Sequence, residues 1–389
     1  MPITFEFSTA NRIIFQTGSV SKVPSIIQSY GTRTFVLHGK NVSRVTPFFD
    51  QLRKAGIEFR NGSVEGEPTT SAVGSLIQQA RQFGADVVVG IGGGSVIDSG
   101  KALAAMLSND GELMDYLEVV GKGKAIRNHP VPYIAIPTTA GTGSEVTRNA
   151  VLTSEEHRVK VSMRHLWMLP EVALIDPALT YSMPPEVTAS TGLDALTQVI
   201  EPFVSRFANP VTDAISKKGI KSAARFLKVA FENGRDADAR ANMAFASMCG
   251  GLALANAKLG AVHGFAGPVG GFTGAPHGLI CARLLPHVME ANVKALHAIP
   301  GNGHALERFD IIGKILTGQA TATADDAVEW LHELCDVLNV PSLDQFGLKK
   351  QDIPMLVEKA QQASSMKGNP VQLSDDVLAS ILEKTLNHS

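Results

Sequence analysis

The chain carries the segment VVVGIGGGSVIDSGK at residues 87–101, which predicts a strand, a tight turn and a helix in succession. The apolar run Val87–Ile91 is typical of a buried strand. Gly92–Gly94 follow it, and a helix beginning near Ser95 would direct its free N–H groups and positive dipole end at this turn. A glycine backbone can approach phosphate oxygens closely. Because the segment lacks the GxGxxG spacing, a purely structural turn remains an alternative.

The first half of the chain alternates short apolar runs with amphipathic stretches. Helical periodicity is found near Val45–Ala55 and over Ser71–Phe83. The runs that predict strands are Thr34–His38, Asp86–Ile91, Tyr133–Ile136 and Val172–Ile175. Strands that alternate with helices predict a parallel sheet with helices on both faces, so this half is expected to be an α/β domain.

The pattern changes near Met183 and Pro184. The segments with helical spacing beyond this point are Glu186–Arg206, Pro210–Asn233, Ala237–Ala257 and Ala324–Val337. Few strand signals lie between them, and a length of 389 residues favours two domains. We therefore predict an α/β dinucleotide-binding domain over residues 1–183 and an all-helical metal and substrate domain over residues 184–389.

Composition limits the class of protein. Apolar residues make up 44% of the chain, charged residues 19%, and the net charge is −2, which gives no argument for a nucleic acid or membrane partner. Three widely spaced cysteines do not predict a disulfide framework. The N-terminus does not show the basic region followed by an apolar stretch that is typical of a signal peptide. The sequence also has no apolar run long enough to predict a membrane span. We expect a cytoplasmic protein.

A second loop supports nucleotide binding. Pro137–Glu145 is rich in threonine and glycine and follows the strand predicted at Tyr133–Ile136. Two such loops at the carboxyl ends of parallel strands are typical of a dinucleotide crevice. A structural role for both loops is the alternative.

Five ordered motifs carry a family resemblance over nearly the whole chain. They are Gly92–Lys101, Pro137–Glu145, Asp176–Pro177, Thr191–Ala195 and Pro276–Gly278. With them the chain resembles the iron-containing (group III) alcohol dehydrogenase family. The resemblance implies a dinucleotide-binding α/β domain, a helical domain and a cleft between them, an architecture shared with dehydroquinate synthase. It also implies a homo-oligomer that acts on a small molecule.

The resemblance also implies which residues bind the cofactor. Gly93, Gly94 and Ser95 would hold the pyrophosphate, and Asp98 would lie on the nicotinamide side. The residues expected to contact phosphates, ribose or nicotinamide are Thr138, Thr139, Thr142 and Lys160.

The metal site implied by the family consists of one aspartate and three histidines. Asp194, His263 and His277 match three of these ligands, and they are also the predicted catalytic residues. Gln198 stands where the remaining histidine is usual, four residues after the aspartate and on the same helix face. An amide oxygen is a weaker donor than imidazole for zinc or ferrous iron, so Gln198 is either a weak ligand or a hydrogen-bonding neighbour. Gly267 replaces a further family histidine, which is usually linked to proton relay.

We predict an NAD(P)-dependent oxidoreductase that transfers hydride between nicotinamide and a small alcohol or aldehyde. A divalent iron or zinc ion at Asp194, His263 and His277 would act as Lewis acid. Alternatives are a metal-independent reductase in which a histidine donates the proton, a lyase of the same architecture, and a cofactor-binding descendant with little turnover. Two further residues near the motifs, Cys281 and His287, are interpreted as structural.

The end of the second strand predicts the choice of cofactor. An acidic residue there usually binds the ribose hydroxyls of NAD. The chain instead continues Gly39-Lys40-Asn41, and the resemblance places Gly39 at the discriminating position. Lys40 or Arg44 could pair with a 2′-phosphate, although both could also be solvated charges. The cofactor is therefore predicted to be NAD(P), with NADP(H) accepted at least as well as NAD(H).

Overall fold

The computed structural model describes residues 3–157 and 159–386, and the chain divides into two compact units. One unit covers residues 8–139 and 143–180. The other covers the chain from Tyr181 onward, the short segment 140–142 and the residues before Ser8. The sequence predicts a domain boundary after Met183. That the chain folds as two independent domains on either side of it stays a prediction.

The first unit is built on a six-stranded parallel sheet. Its strands are β1 (Arg12–Phe15), β2 (Arg33–Gly39), β3 (Glu58–Val64), β4 (Val87–Gly92), β5 (Tyr133–Pro137) and β8 (Val172–Ile175). Two further strands, β6 (Asn149–Ser154) and β7 (Val159–Arg164), form a separate antiparallel pair. The order in the sheet is β1-β8-β5-β4-β2-β3, with every pairing parallel. The predicted parallel sheet is confirmed. Sequence patterns had not indicated β1, β3 or the antiparallel pair.

Helices cover both faces of this sheet. They are α1 (Val23–Gln28), α2 (Thr46–Lys54), α3 (Thr70–Phe83), α4 (Gly94–Ser108) and α5 (Leu113–Tyr116). Alternate residues of the strands join two separate apolar cores: Phe35 and Leu37 pack with α3 and α4, and Val36 packs with α1 and α2. Because side chains alternate across a strand, a sheet with two cores needs strands that are apolar on both faces. β4 meets this requirement, since all six of its residues are buried.

The order of the strands places three loops side by side. The chain leaves β2 toward β3 on one side and leaves β4 toward β5 on the other, so β2 and β4 are adjacent strands with diverging connections. The register aligns His38 with Ile91 and Gly92 with Pro137. Ligands of open parallel sheets bind at the carboxyl ends of strands at such a point. The loops after Gly39, Gly92 and Pro137 therefore lie at the edge of the sheet where a dinucleotide is expected.

The regular structure of the second unit is helical, with no strand among its described residues. Its helices are α6 (Pro185–Val204), α7 (Pro210–Glu232), α8 (Ala237–Ala257), α9 (Ala261–Thr273), α10 (His277–His297), α11 (Gly303–Thr317), α12 (Ala324–Val337), α13 (Ile353–Gln362) and α14 (Asp375–Lys384). Helices α6, α7, α8 and α12 agree with the predicted segments to within two residues at each end. The predicted all-helical second half is confirmed for the part of the chain described.

Across residues 3–157 and 159–386, no single helix has both the length and the apolar composition of a membrane span. The bent pair formed by α8 and α9, whose axes differ by 102°, passes the same test only when taken together.

Candidate metal centre and dinucleotide loops

Three helices of the second unit bring the predicted metal ligands together. Asp194 lies in the middle of α6, His263 in the first turn of α9, and His277 is the first residue of α10. The start of α10 lies directly against α6: a Cβ added to Gly278 would overlap the backbone oxygen of Ser190. Glycine at 278 therefore permits the close approach that places His277 beside Asp194.

The donor atoms of four side chains converge. Asp194, His263, His277 and Cys281 each offer one ligand atom, and these atoms all lie within 4.8 Å of one another. Asp194 Oδ1 lies 3.4 Å from His263 Nε2 and 3.9 Å from His277 Nε2. The Cys281 sulfur lies 3.8 Å from His263 Nε2 and 3.7 Å from His277 Nε2. The structure thus groups the three predicted ligands with a cysteine that had been interpreted as structural.

The group fits a divalent cation on its own chemistry. Asp194 Oδ1 is buried and has no hydrogen-bond partner. Leaving a buried carboxylate oxygen unpaired is costly unless another positive or polar group compensates it. Imidazole, carboxylate and thiolate are together the usual protein ligands of zinc. The residues present can therefore hold a divalent metal.

A second carboxylate orients His263. Glu201, three residues beyond Gln198 on α6, is buried, and its Oε2 accepts a hydrogen bond of 2.7 Å from His263 Nδ1. Its Oε1 accepts the backbone N–H of Val262 at 2.7 Å. A neutral ring that donates through Nδ1 keeps the Nε2 lone pair available for a metal. Sequence analysis did not identify Glu201; its spacing of seven from Asp194 on one helix face is the signal that could have done so.

Gln198 lies beside the cluster in a supporting position. The side chain is buried, and its amide donates to Asp194, which helps to hold the pKa of that carboxyl below its ordinary value. Its Oε1 has no hydrogen-bond partner and lies against Gly250 of α8. The side chain therefore contacts Asp194, and whether it also binds the metal stays a prediction.

The charges of the cluster are mutually stabilising. Burial acts to raise the pKa of Asp194, but the facing imidazoles outweigh it and the pKa is lowered. Burial acts to lower the pKa of His263, and the groups facing it, Cys281, Asp194 and Glu201, raise it well above its ordinary value. Burial likewise acts to raise the pKa of Cys281, yet the two imidazoles lower it. By contrast, burial raises the pKa of Cys249 and of Cys335 to about 12.

The glycine turn has the shape expected of a phosphate-binding loop. A Cβ at Gly92 would overlap Val96, so glycine is needed there for the first turn of α4 to fold back on the strand. A Cβ at Gly93 would lie only at contact distance from Thr139, 3.5 Å from its Cγ2. The Thr138 N–H donates to Gly92 O at 2.8 Å, so the two predicted anion-binding loops are adjacent. Thr142 belongs by its contacts to the helical unit.

Asp98 has internal partners on both of its oxygens. Oδ1 accepts from Ser144 Oγ at 2.5 Å and pairs with Lys101 Nζ at 3.0 Å, while Oδ2 accepts the Val151 N–H at 3.0 Å. Lys101 is fully buried and also donates to Ser144, Thr147 and the backbone oxygen of Asn149. The pair ties α4 to the segment that leads into β6. Whether Asp98 also faces the nicotinamide stays a prediction.

The remaining predicted cofactor residues lie near the ends of their strands. Lys160, on β7, pairs with Glu67 at 3.0 Å. Gly39 ends β2, and a Cβ added there would meet nothing within 4 Å. Lys40 pairs with Glu65 at 3.3 Å, and both side chains are exposed. The neighbouring strand β3 thus brings a carboxylate, Glu65, to the end of the sheet where Gly39 lies.

Comparison with known proteins agrees with the motifs. The profile of the iron-containing alcohol dehydrogenases matches residues 10–177, and the C-terminal profile of the same family matches residues 188–386. The chain belongs to the iron-containing alcohol dehydrogenase family. This member of the family is an enzyme and an oxidoreductase, and its architecture is that of the iron-type alcohol dehydrogenases.

Individual relatives cover most of the chain. Alcohol dehydrogenase 4 of Saccharomyces cerevisiae is 37% identical over 82% of this chain and 81% of its own length. A crystal structure of 1,3-propanediol oxidoreductase covers 98% of this chain and 100% of its own, with 32% identity and a TM-score of 0.92. Sulfoacetaldehyde reductase from Bifidobacterium kashiwanohense, solved with NAD+, covers 100% of both chains at 27% identity and a TM-score of 0.88.

Proposed function

We propose that this enzyme interconverts a small alcohol and its aldehyde or ketone with a nicotinamide cofactor and a divalent metal. The observation that carries the proposal is the convergence of Asp194, His263 and His277 around an unpaired, buried carboxylate oxygen. A family member that keeps such a donor set keeps the means to bind a metal. The cofactor-binding descendant with little turnover is therefore the weaker alternative.

Each residue of the centre has its own role in binding the metal. When bound, the metal would supply Lewis-acid polarisation of a carbonyl oxygen, and the nicotinamide would supply or accept hydride. Asp194 would contribute negative charge, His263 and His277 would contribute nitrogen donors once the metal displaces their protons, and Glu201 fixes the ring of His263. His277 is the most accessible of these, with 34% of its side chain exposed against 6% for His263. His277 is thus the ligand that borders the space open to substrate.

Gly267 stands where the family resemblance implies a histidine linked to proton relay. A Cβ at Gly267 would meet nothing within 4 Å, so a larger side chain could start at this position without a clash. We propose that water carries the proton here, since one intervening water is compatible with general acid catalysis.

The proposal for the cofactor is NAD(P), with NADP(H) accepted at least as well as NAD(H). Gly39 leaves room at the end of β2, and Lys40 lies next to it with an exposed ammonium group. The pairing of Lys40 with Glu65 works against this preference, because a 2′-phosphate would compete with a carboxylate for the same cation. An exposed ion pair is worth roughly 0–1 kcal/mol, so a doubly charged phosphate can displace Glu65. We also propose a homo-oligomer in the cytoplasm that acts on small molecules.

The deciding experiment combines kinetics with metal analysis. Protein purified without chelator is analysed for iron and zinc and assayed with short alcohols and aldehydes and with both cofactors. The proposal expects activity to fall on chelation and to return with zinc or ferrous iron. Full activity of metal-free protein would instead establish the metal-independent reductase, in which the buried His263 or the more exposed His277 donates the proton. Cofactor binding without turnover on any carbonyl substrate would establish the binding descendant.

A further inference from the structure

We infer that Cys281 is the fourth protein ligand of the metal, in place of the imidazole that the family pattern expects at position 198. The inference rests on the proposed metal-assisted function and specifies which atoms hold the ion. In this enzyme the missing ligand on α6 would be replaced by a sulfur on α10.

The helix geometry of α10 explains how a thiol reaches the site. Cys281 follows His277 by four residues, and side chains at that spacing lie on the same face of a helix, one turn apart. Both side chains therefore face α6 and α9 together. The Cys281 side chain is completely buried, and its sulfur contacts the Nε2 atoms of both histidines.

The separations of the donor atoms match a tetrahedral set. Zinc lies about 2.0–2.2 Å from nitrogen or oxygen ligands and about 2.3 Å from sulfur, so tetrahedral neighbours are separated by roughly 3.3–3.6 Å. The sulfur is 3.7 and 3.8 Å from the two imidazole nitrogens, and Asp194 Oδ1 is 3.4 and 3.9 Å from them. These four separations lie within a few tenths of an ångström of the tetrahedral range, and all six lie within 4.8 Å, so modest shifts would bring the four donors to one ion. A substrate oxygen would then join as a fifth ligand.

A second observation points at the same centre. Asp194 is 3% exposed, and its Oδ1 is aimed at both imidazoles without making a hydrogen bond. The Gln198 Oε1 lies near Gly250, and the amide nitrogen of this side chain is the group that faces Asp194. Among the described side chains that carry a carboxylate, imidazole or thiol, Cys281 is the one that joins Asp194, His263 and His277.

A thiolate ligand changes the preferred ion. The donor set would carry two negative charges, from Asp194 and Cys281, where the family pattern carries one. Thiolate is a soft ligand that suits zinc, and zinc also binds more tightly than ferrous iron in the general order of divalent affinities. We expect the purified enzyme to retain zinc in preference to iron.

Cobalt(II) substitution tests the sulfur directly. The full-length protein is stripped with a chelator, loaded with one equivalent of cobalt(II), and its near-ultraviolet spectrum is recorded. Thiolate coordination gives an intense charge-transfer band that nitrogen and oxygen ligands do not give. We expect this band in the unmodified protein, a measurement that needs no variant to fold. Stoichiometric cobalt without the band would overturn the inference and leave the proposed function standing.

Variants then identify the cysteine. Cys281→Ser should abolish the band and weaken zinc binding by more than about tenfold, whereas the matched control Cys249→Ser, at another buried cysteine, should keep both. The double variant Cys281→Ser with Gln198→His should regain zinc without regaining the band. Retention of the band in folded Cys281→Ser protein would overturn the inference. A protein that binds neither cobalt nor zinc would overturn both this inference and the metal-assisted function.

Discussion

Glu201 Oε2 accepts a hydrogen bond of 2.7 Å from Nδ1 of His263, and the other oxygen of the same carboxylate accepts the backbone N–H of Val262. Two bonds to one short stretch of α9 fix both the ring and the start of the helix. The ring nitrogen that faces Asp194 is therefore held in place before any ligand binds. Outer carboxylates of this kind set the tautomer and basicity of metal-binding histidines.

Replacement of this carboxylate should weaken the metal site. Glu201→Gln keeps the size of the side chain but removes the charge that supports His263, so we expect metal affinity to fall about 10- to 100-fold. Competition with a chromogenic chelator measures the change. Glu186→Gln, at an exposed carboxylate in the first turn of the same helix, is the control and should have no effect. Equal affinities in the two variants would contradict the role assigned to Glu201.

Asp194 should be required for turnover but not for dinucleotide binding. Asp194→Ala removes the unpaired buried oxygen, and we expect kcat to fall by orders of magnitude. The glycine turn belongs to the other unit of the chain, so the dissociation constant for NAD(P)H, measured by fluorescence titration, should stay within about twofold. A parallel loss of cofactor affinity would mean that Asp194 acts on the cofactor and not on the metal or substrate.

Substitutions at Gly267 test proton relay, because an added Cβ would meet no neighbouring atom there. Gly267→Ala should stabilise α9 by up to about 1 kcal/mol, because alanine is the better helix former, and should leave kcat unchanged. Gly267→His should fold equally well and raise kcat by adding a relay group. The two variants are compared by thermal unfolding and by kcat measured across a range of pH. Identical kcat values would argue that proton transfer does not limit this enzyme.

The salt bridge between Lys40 and Glu65 should tune the choice of cofactor. Glu65→Gln frees the exposed Lys40 ammonium for a 2′-phosphate, and we expect kcat/KM for NADPH to rise by up to about fivefold, or roughly 1 kcal/mol. Gly39→Asp should move the preference toward NADH by supplying the usual carboxylate. If the unmodified enzyme prefers NADH by more than about tenfold, the proposal for NADP(H) is wrong.

Glu145 should make stability decrease as pH rises. Burial raises its pKa from 4.5 to about 7, so the folded state binds a proton more tightly than the unfolded state. The stabilisation is complete below about pH 4.5 and is lost as pH rises through about 7, by at most about 3 kcal/mol. Urea unfolding at pH 5 and pH 8 measures the loss. Glu145→Gln should show a smaller decrease between the two values, and an unchanged decrease would exclude Glu145 as its source.

The strands that sequence analysis predicted are the buried ones. The runs at β4, β5 and β8 are apolar on both faces and β2 has an apolar centre, which a single sequence displays directly. The edge strand β3, with the sequence EFRNGSV, was missed because only two of its seven residues are buried and the rest follow no apolar pattern. Its place in the sheet comes from pairing with β2, a contact between distant segments.

Helix α9 shows the same limitation in the second unit. Its sequence, AVHGFAGPVGGFT, contains several glycines and Pro268, which disfavour a helix. Most of its side chains are nevertheless buried, and close packing against its neighbours outweighs the low propensity. Tertiary contacts of this kind decide the local structure, and they are invisible in the order of residues alone.

Sequence analysis predicted only some of the residues of the candidate centre, because the others depend on tertiary contacts. Asp194, His263 and His277 lie in motifs that the family resemblance identified, and the structure brings all three together. The spacings of Glu201 from Asp194 and of Cys281 from His277 place each on the helix face of a predicted ligand, but whether they contact the centre depends on how α6, α9 and α10 cross. One sequence does not specify those crossings, so their contribution emerged from the fold.

Lys101 is the only lysine among the described residues that is buried, and oxygen atoms of Asp98, Ser144, Thr147 and Asn149 surround its ammonium group. Amine-specific acylating reagents cannot reach it while these contacts persist. Its labelling must therefore wait for an opening of the α/β unit, whereas exposed lysines react at once. The rate at which mass spectrometry detects modification at this single position would measure how often that unit opens under native conditions.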